Sequence, residues 1–314
     1  MKKLVRLILS SYLFLGMILL NTANAQVGTQ DVISITDITG YKHYLKEKPC
    51  RIISLNTSSD EILFALVEQD RILGICKNSI DANMSSVVDK AQQIEVKLPL
   101  RSNCEVILGL APDLVLFPEG GPREMVDSLR DLGVRVFVVR ASNNIEKIKE
   151  KIREISIVVG EEENGRSIIK EMNRKLESIR HFSEINNVTK KVVLGFTFAG
   201  AYGNVNGLFH DICVHAGVIN GAAEIGLKMG ERLSAEQVIK VNPDMVFLPT
   251  WSHHKNNNPE AFKNDFVNNE PYKNLKAVKN GNVYLLDEKY RGCGSQYVVD
   301  GIVKIYELAY GNKL

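Results

Sequence analysis

Runs of consecutive apolar residues too short for helices recur at 51–55, 72–75, 114–117 and 134–139, and again at 192–196, 245–248 and 283–286. Without a wet face, such runs suit strands covered on both sides. Between them the spacing lengthens to the three-and-four period of a helix, as at 124–132 and in Ile62, Leu63, Ala65 and Leu66 after the polar loop Asn56-Thr57-Ser58-Ser59. Strand, loop and helix in repeated succession predict an α/β fold of mostly parallel sheets flanked by helices. Ahead of them, 32–37 and 41–45 flank Ile38-Thr39-Gly40 and predict a hairpin turning at Gly40.

The middle of the chain is patterned differently. Ile148, Ile152, Ile155 and Val159, then Ile168, Ile169, Met172, Leu176 and Ile179, keep a helical period that Gly160 divides in two. The second helix, 161–182, would run about 30 Å at 1.5 Å per residue, enough to cross a small domain. Glu161-Glu162-Glu163 at its start and Arg174, Lys175, Arg180 and His181 towards its end complement the helix dipole. This predicts two lobes, 26–144 and 190–314, joined by linking helices over 145–189, with a last helix at 296–310.

An internal repeat supports two lobes on one plan. The segment starting at Asn103 returns 131 residues later at Ser234, with Glu105/Glu236, Pro112/Pro243, Asp113/Asp244 and Val115/Val246 identical. Each copy predicts a capped short helix with Glu in its second position, a Pro-Asp stop and a buried strand. A glutamate there offsets the helix dipole by roughly 0.3–1 kcal/mol. Two at equivalent points of two lobes would equally suit docking to a two-fold partner with basic sockets. The residues alone leave both readings open.

Charge and composition narrow the class. With 45% hydrophobic residues the chain can build a substantial core, and 39 basic against 37 acidic residues give no surplus for nucleic acid. Residues 1–25 carry Lys2, Lys3 and Arg6, an apolar run at 7–20 and Ala23-Asn24-Ala25. They read as a signal peptide cleaved before Gln26, which predicts a periplasmic protein. The apolar run is shorter than the roughly 20 residues a membrane span needs. Cleavage leaves 36 basic and 37 acidic residues, with no cysteine at the new N-terminus. The five cysteines, odd in number and without CxxC spacing, read as mostly small buried hydrophobes.

No GxSxG, HExxH, P-loop or post-strand GxGxxG pattern appears, so neither an enzyme nor a resident cofactor or metal is expected. The enzyme alternative is an exported metal-dependent hydrolase built on His253, His254 and Asp287. Open parallel sheets bind ligands at the carboxyl ends of their strands. Those loops offer Asn56, Thr57, Ser58, Lys77 and Glu119 in the first lobe, and Phe198, Tyr202, Trp251, Tyr290 and Arg291 in the second. Arg101 and Arg232 precede the paired helices. The set suits a polar, partly aromatic, anionic ligand.

Three stretches carry a family likeness: Arg51-Ile52-Ile53-Ser54-Leu55 through Asp60-Glu61-Ile62-Leu63-Phe64-Ala65-Leu66, the two Glu-to-Pro-Asp segments, and Leu275-Lys276-Ala277-Val278-Lys279-Asn280-Gly281-Asn282-Val283-Tyr284. Over about 31–312 the chain resembles the substrate-binding proteins of ABC importers for iron-siderophore, haem and cobalamin. The resemblance implies two α/β lobes joined by one long rigid helix, with ligand in a shallow cleft between them. It implies a monomer that delivers its ligand to a dimeric inner-membrane permease, with Glu105 and Glu236 pairing with arginines on the two subunits. Trp251, the single tryptophan, gives little of the aromatic cleft expected for cobalamin. Haem would need an axial ligand, for which Tyr202 or His254 is available. Arg291-Gly292-Cys293-Gly294-Ser295-Gln296-Tyr297 resembles the iron-complex members, which favours a ferric siderophore or similar chelate, with Arg101, Arg232 and Arg291 countering its charge. A sensor component that docks a receptor with the same ligand is a further alternative.

Overall fold

The computed structural model describes residues 33–99, 102–185, 189–251 and 258–311. The expected signal segment, Arg101, His253 and His254 lie outside them. The first lobe opens with an antiparallel hairpin, β1 (Ile33–Thr36) and β2 (Lys42–Leu45), turned at Gly40 with φ 85°. Asp37 staples this hairpin to the lobe. Its carboxylate accepts from Arg130 at 2.5 Å and from the Val138 backbone N–H at 3.1 Å.

Five strands follow, β3 (Ile52–Ser54), β4 (Ile72–Cys76), β5 (Val96–Leu98), β6 (Leu114–Pro118) and β7 (Val136–Val139), with helices α1 (Thr57–Leu66), α2 (Val88–Gln93), α3 (Cys104–Gly109) and α4 (Arg123–Asp131) between them. All neighbours pair in parallel, in the order β5-β4-β3-β6-β7. Helices α5 (Ile145–Val158) and α6 (Glu162–Ile185) link the lobes, and the break between them falls at Gly160, whose φ is 73°. The second lobe contains β8 (Val192–Thr197), β9 (Gly200–Tyr202), α7 (Leu208–His215), β10 (Ile219–Asn220), α8 (Gly221–Glu224), α9 (Ala235–Val241), β11 (Met245–Pro249), α10 (Pro259–Asn268), α11 (Lys276–Lys279), β12 (Val283–Leu286), α12 (Glu288–Arg291) and α13 (Val298–Tyr310). Its parallel strands run β10-β8-β11-β12, with β9 folded back antiparallel on β8. Strands β5, β9 and β10, two or three residues each, are too short to leave a hydrophobic period.

The central strands are buried on both faces, as their unbroken apolar runs require: every residue of β3, β7 and β11 is buried. One apolar cluster then runs through both lobes. It joins Ile52, Leu116 and Phe137 of the first sheet to Ile148, Ile152 and Ile155 of α5, and to Phe247, Ile302 and Tyr306 of the second lobe.

The repeat returns in the backbone, with one copy's helix a residue longer. Asn103 caps α3 by accepting from Glu105 N at 2.8 Å, and Ser234 caps α9 in a reciprocal box with Gln237. In each copy the residue just before the Pro-Asp pair is left-handed: Ala111 at φ 49°, one residue past the Leu110 C-cap, and Asn242 at φ 45°, itself the C-cap. Among the described residues these are the only non-glycines with positive φ, and they stand 131 apart. The aspartate that follows is a clamp rather than a helix stop. Asp113 accepts from the N–H groups of Cys50 and Arg51 at 2.6 and 3.0 Å, and Asp244 from Val192 N at 2.9 Å, so each pins the chain entering its lobe's first parallel strand. Alanine in the left-handed region costs roughly 1–2 kcal/mol that glycine avoids. Ala111→Gly is therefore expected to stabilise the fold by about 1 kcal/mol in urea denaturation, after the loss of unfolded-state restriction is deducted; a destabilised variant would contradict this account.

Candidate ligand-binding cleft

In the first sheet the strand order reverses between β3 and β6, which opens a crevice at their carboxyl ends. A cavity of about 400 Å³ sits there. Its floor is the start of α1, where Asn56 Oδ1 accepts from Ser58 N at 3.0 Å, Ser59 N at 3.3 Å and Ser58 Oγ at 2.5 Å. Asn78, Met84, Pro118, Glu119, Val139 and Ser142 contribute to the walls. The second lobe closes the far side with Glu288 and Gly292-Cys293-Gly294.

A buried polar joint beside the cavity ties the lobes together. Glu61 of α1 accepts from Ser86 N at 2.8 Å within its own lobe, and from Ser295 Oγ at 2.6 Å and Cys293 Sγ at 3.3 Å across the boundary. Gln296 Nε2 adds a bond to the Glu61 carbonyl at 2.8 Å. Burial pushes the Glu61 carboxyl up and the Cys293 thiol well up. At a second point the α12 residue Lys289 donates its backbone N–H to Asn83 O at 3.0 Å and its ammonium to Ala82 O at 2.8 Å.

The charges around the cavity are mostly committed. Arg140 forks onto Glu154, with Nε to Oε2 at 2.8 Å, and also meets Glu150 at 3.2 Å. Glu119 accepts from Ala141 N at 2.7 Å, and Glu288 is held by Arg291. Lys151 of α5 differs. It lines the cavity at 4% exposure, and its two hydrogen-bond partners, Ser58 Oγ at 3.2 Å and Gly294 O at 3.0 Å, are both neutral. Burial pulls its ammonium down to about 8 against the opposing influence of Cys293, Glu61 and Glu154.

Of the residues expected to meet ligand, Asn56, Thr57, Ser58 and Glu119 line the cavity. Lys77 is exposed beside it, between lining residues Cys76 and Asn78. Arg291 is drawn into the second lobe at 2% exposure: it donates to Phe196 O at 2.5 Å, and its guanidinium lies 5.4 Å from the Tyr202 ring centre. Tyr202 packs against Phe209 at 5.2 Å, and burial pushes its hydroxyl up to about 12. Phe198 rests on Phe262, and Arg232 is exposed with Nη1 on Glu231 O. Trp251 and Tyr290 are half-buried and contribute nothing to this cavity wall. Arg291, Tyr202 and Phe198 are thus engaged in contacts within the second lobe. Asp287 accepts from Thr250 Oγ1 at 2.9 Å, and among the described residues no cluster of three His, Cys, Asp or Glu is placed to hold a metal. Glu105 and Glu236 are both exposed, each in the first turn of its capped helix.

Lys151 and Ser142 escaped the sequence reading. Lys151 had left a mark: it lies three residues after Ile148 and four before Ile155, beside the apolar stripe of α5 and off its wet face.

Two α/β lobes share a core beside this cleft. Residues 52–290 match the periplasmic binding protein family, and the chain belongs to it. A cobalamin-binding protein of Halobacterium salinarum is 26% identical over 206 residues, which cover 64% of this chain and 54% of that protein. The match thus spans about half the length of that relative. An uncharacterized ABC transporter substrate-binding lipoprotein of Bacillus subtilis, YvrC, is 24% identical over 88% of this chain and 85% of its own. Among solved structures, Helicobacter pylori CeuE with Ni(II) bound superposes with a TM-score of 0.71 at 21% identity, covering 89% of each chain. A periplasmic binding protein of Veillonella parvula gives 0.73 at 16% identity, covering 90% of this chain and 99% of that one.

A buried lysine whose ammonium is held below its ordinary value of 10.5 costs stability wherever it is charged in the fold. Lys151→Met is accordingly expected to raise the melting temperature at pH 7. The gain should shrink between pH 8 and 10.5, where the native lysine has lost its proton and the unfolded one keeps it. A variant that melts lower at pH 7 would show that the bonds to Ser58 and Gly294 outweigh burial.

Proposed function

We propose that this chain is the exported substrate-binding protein of an ABC importer, holding an iron chelate between its lobes and delivering it to a permease dimer. The observation that carries the reading is the cavity at the strand-order reversal of a two-lobed molecule whose equivalent helices each present an exposed glutamate. Binding, not catalysis, suits a cleft whose carboxylates are engaged in backbone capping and ion pairs.

Export rests on the basic start, apolar run and small residues of 1–25, and accords with the lipoproteins among the relatives. The ligand class rests on size and wall chemistry. At about 400 Å³ the cavity is near the lower end of the range for small-molecule sites, which suits a compact chelate better than a corrinoid. Tyr202, turned into packing against Phe209, is badly placed as an axial ligand for haem.

Glu105 and Glu236 would then meet basic sockets on the two permease subunits. Replacing both with glutamine should abolish uptake by the reconstituted importer and leave chelate affinity unchanged, measured by quenching of the single tryptophan, Trp251, or by calorimetry. Loss of affinity in the double variant would refute the docking role. Failure of the mature protein to bind any ferric siderophore, haem or cobalamin would refute the transport reading as a whole.

A further inference from the structure

Around the cavity, the walls and the charges point to the same kind of ligand. The neutral polar lining is made of hydroxyls and amides, among them Asn56, Thr57, Ser58, Asn78 and Ser142; the charged lining is Glu61, Glu119, Glu288, Arg140 and Lys151, and among the described residues no aromatic ring contributes to it. Flat aromatic ligands are ordinarily held by stacking or by an arginine laid on the ring face. Here Arg140 is locked into its fork with Glu154 and its contact with Glu150. Among the described residues what remains is one ammonium at the cavity floor, a compact point charge that favours hard oxygen anions. Two of its three protons go to Ser58 Oγ and Gly294 O, and no described carboxylate forms an ion pair with it. A buried cation left with neutral partners is costly unless an anion completes its shell.

We propose that the cleft is built for a non-aromatic, carboxylate-bearing metal chelate, and that Lys151 reads its charge by donating its third proton to a ligand carboxylate. This rests on the binding-protein reading of the same cleft. Ser58, already fixed by Asn56, and the Gly294 carbonyl from the opposite lobe aim the ammonium, so the contact forms at the seam between lobes. The groups that bear on its charge are Glu61 on α1, Cys293 on the turn after α12 and Glu154 on its own helix. Glu154 is paired with Arg140 and Glu288 with Arg291, while Glu61 and Glu119 are held by neutral donors, so among the described residues Lys151 is the lining cation without a carboxylate partner.

The test titrates the mature protein with ferric citrate, a ferric catecholate complex, haem and cyanocobalamin, each against wild type and Lys151→Met, with melting temperatures recorded to confirm folding. Binding of ferric citrate that weakens about tenfold or more in the variant supports the inference, as loss of a charge-assisted hydrogen bond requires. The ratio of wild-type to variant affinity should also fall as the pH rises through 8, where Lys151 loses its charge; taking the ratio removes any change in the chelate itself. Preference of the wild type for the catecholate, haem or cobalamin overturns the inference and leaves the transport reading intact. Equal ferric citrate affinity in the two proteins overturns the role of Lys151. If wild type binds none of the four, both the inference and the reading beneath it fall.

Discussion

The apolar core that passes from one lobe into the other is the constraint on which the rest of the molecule depends. Ile148, Ile152 and Ile155 on one helix pack in the same cluster as Leu116 and Phe137 of the first sheet and Phe247 and Tyr306 of the second lobe. Separating the lobes would expose that surface at about 25 cal/mol per Å². The polar joint adds direction to this non-directional adhesion. Glu61 bonds to backbone of its own lobe and to hydroxyl and thiol of the other, so it fixes how the lobes meet as well as how tightly. The cleft beside it is therefore held in shape before any ligand arrives, which lowers the ordering cost of binding.

The fold was largely legible because burial on both faces writes itself into sequence as continuous apolar runs. The repeat was legible for a related reason: a capped short helix needs Asn or Ser, its end needs a residue tolerant of positive φ, and the Pro-Asp pair recurs. The role of that aspartate was not legible, since Asp113 works by reaching backbone some sixty residues earlier in the chain. The site was half legible. Residues at strand ends in the first lobe fell into the cavity because the crevice follows from strand order. Arg291 and Tyr202, at equally suggestive places, turned inward, because a guanidinium next to Phe196 O and Glu288 finds better partners in the lobe than in the cleft. Lys151 went unnoticed because a lysine on a charged helix looks ordinary until its neighbours show which face it occupies.

The two lobes share a plan and divide its uses. Capping, left-handed helix ends and aspartate clamps are common to both, and so are the exposed glutamates. The cavity is not shared evenly: most of its wall comes from the first lobe, and the second supplies one turn and the start of a helix. Equivalent scaffolds thus present equivalent outer glutamates, while the inner surfaces contribute unequally to the cavity wall.

The bonds from Lys289 across the cleft have both their acceptors on the main chain, at the carbonyls of Ala82 and Asn83. Any residue at those two positions supplies the same oxygens. The loop can therefore drift in sequence without loosening the cover, and ligand preference can be rewritten in the wall side chains while the closure is inherited unchanged.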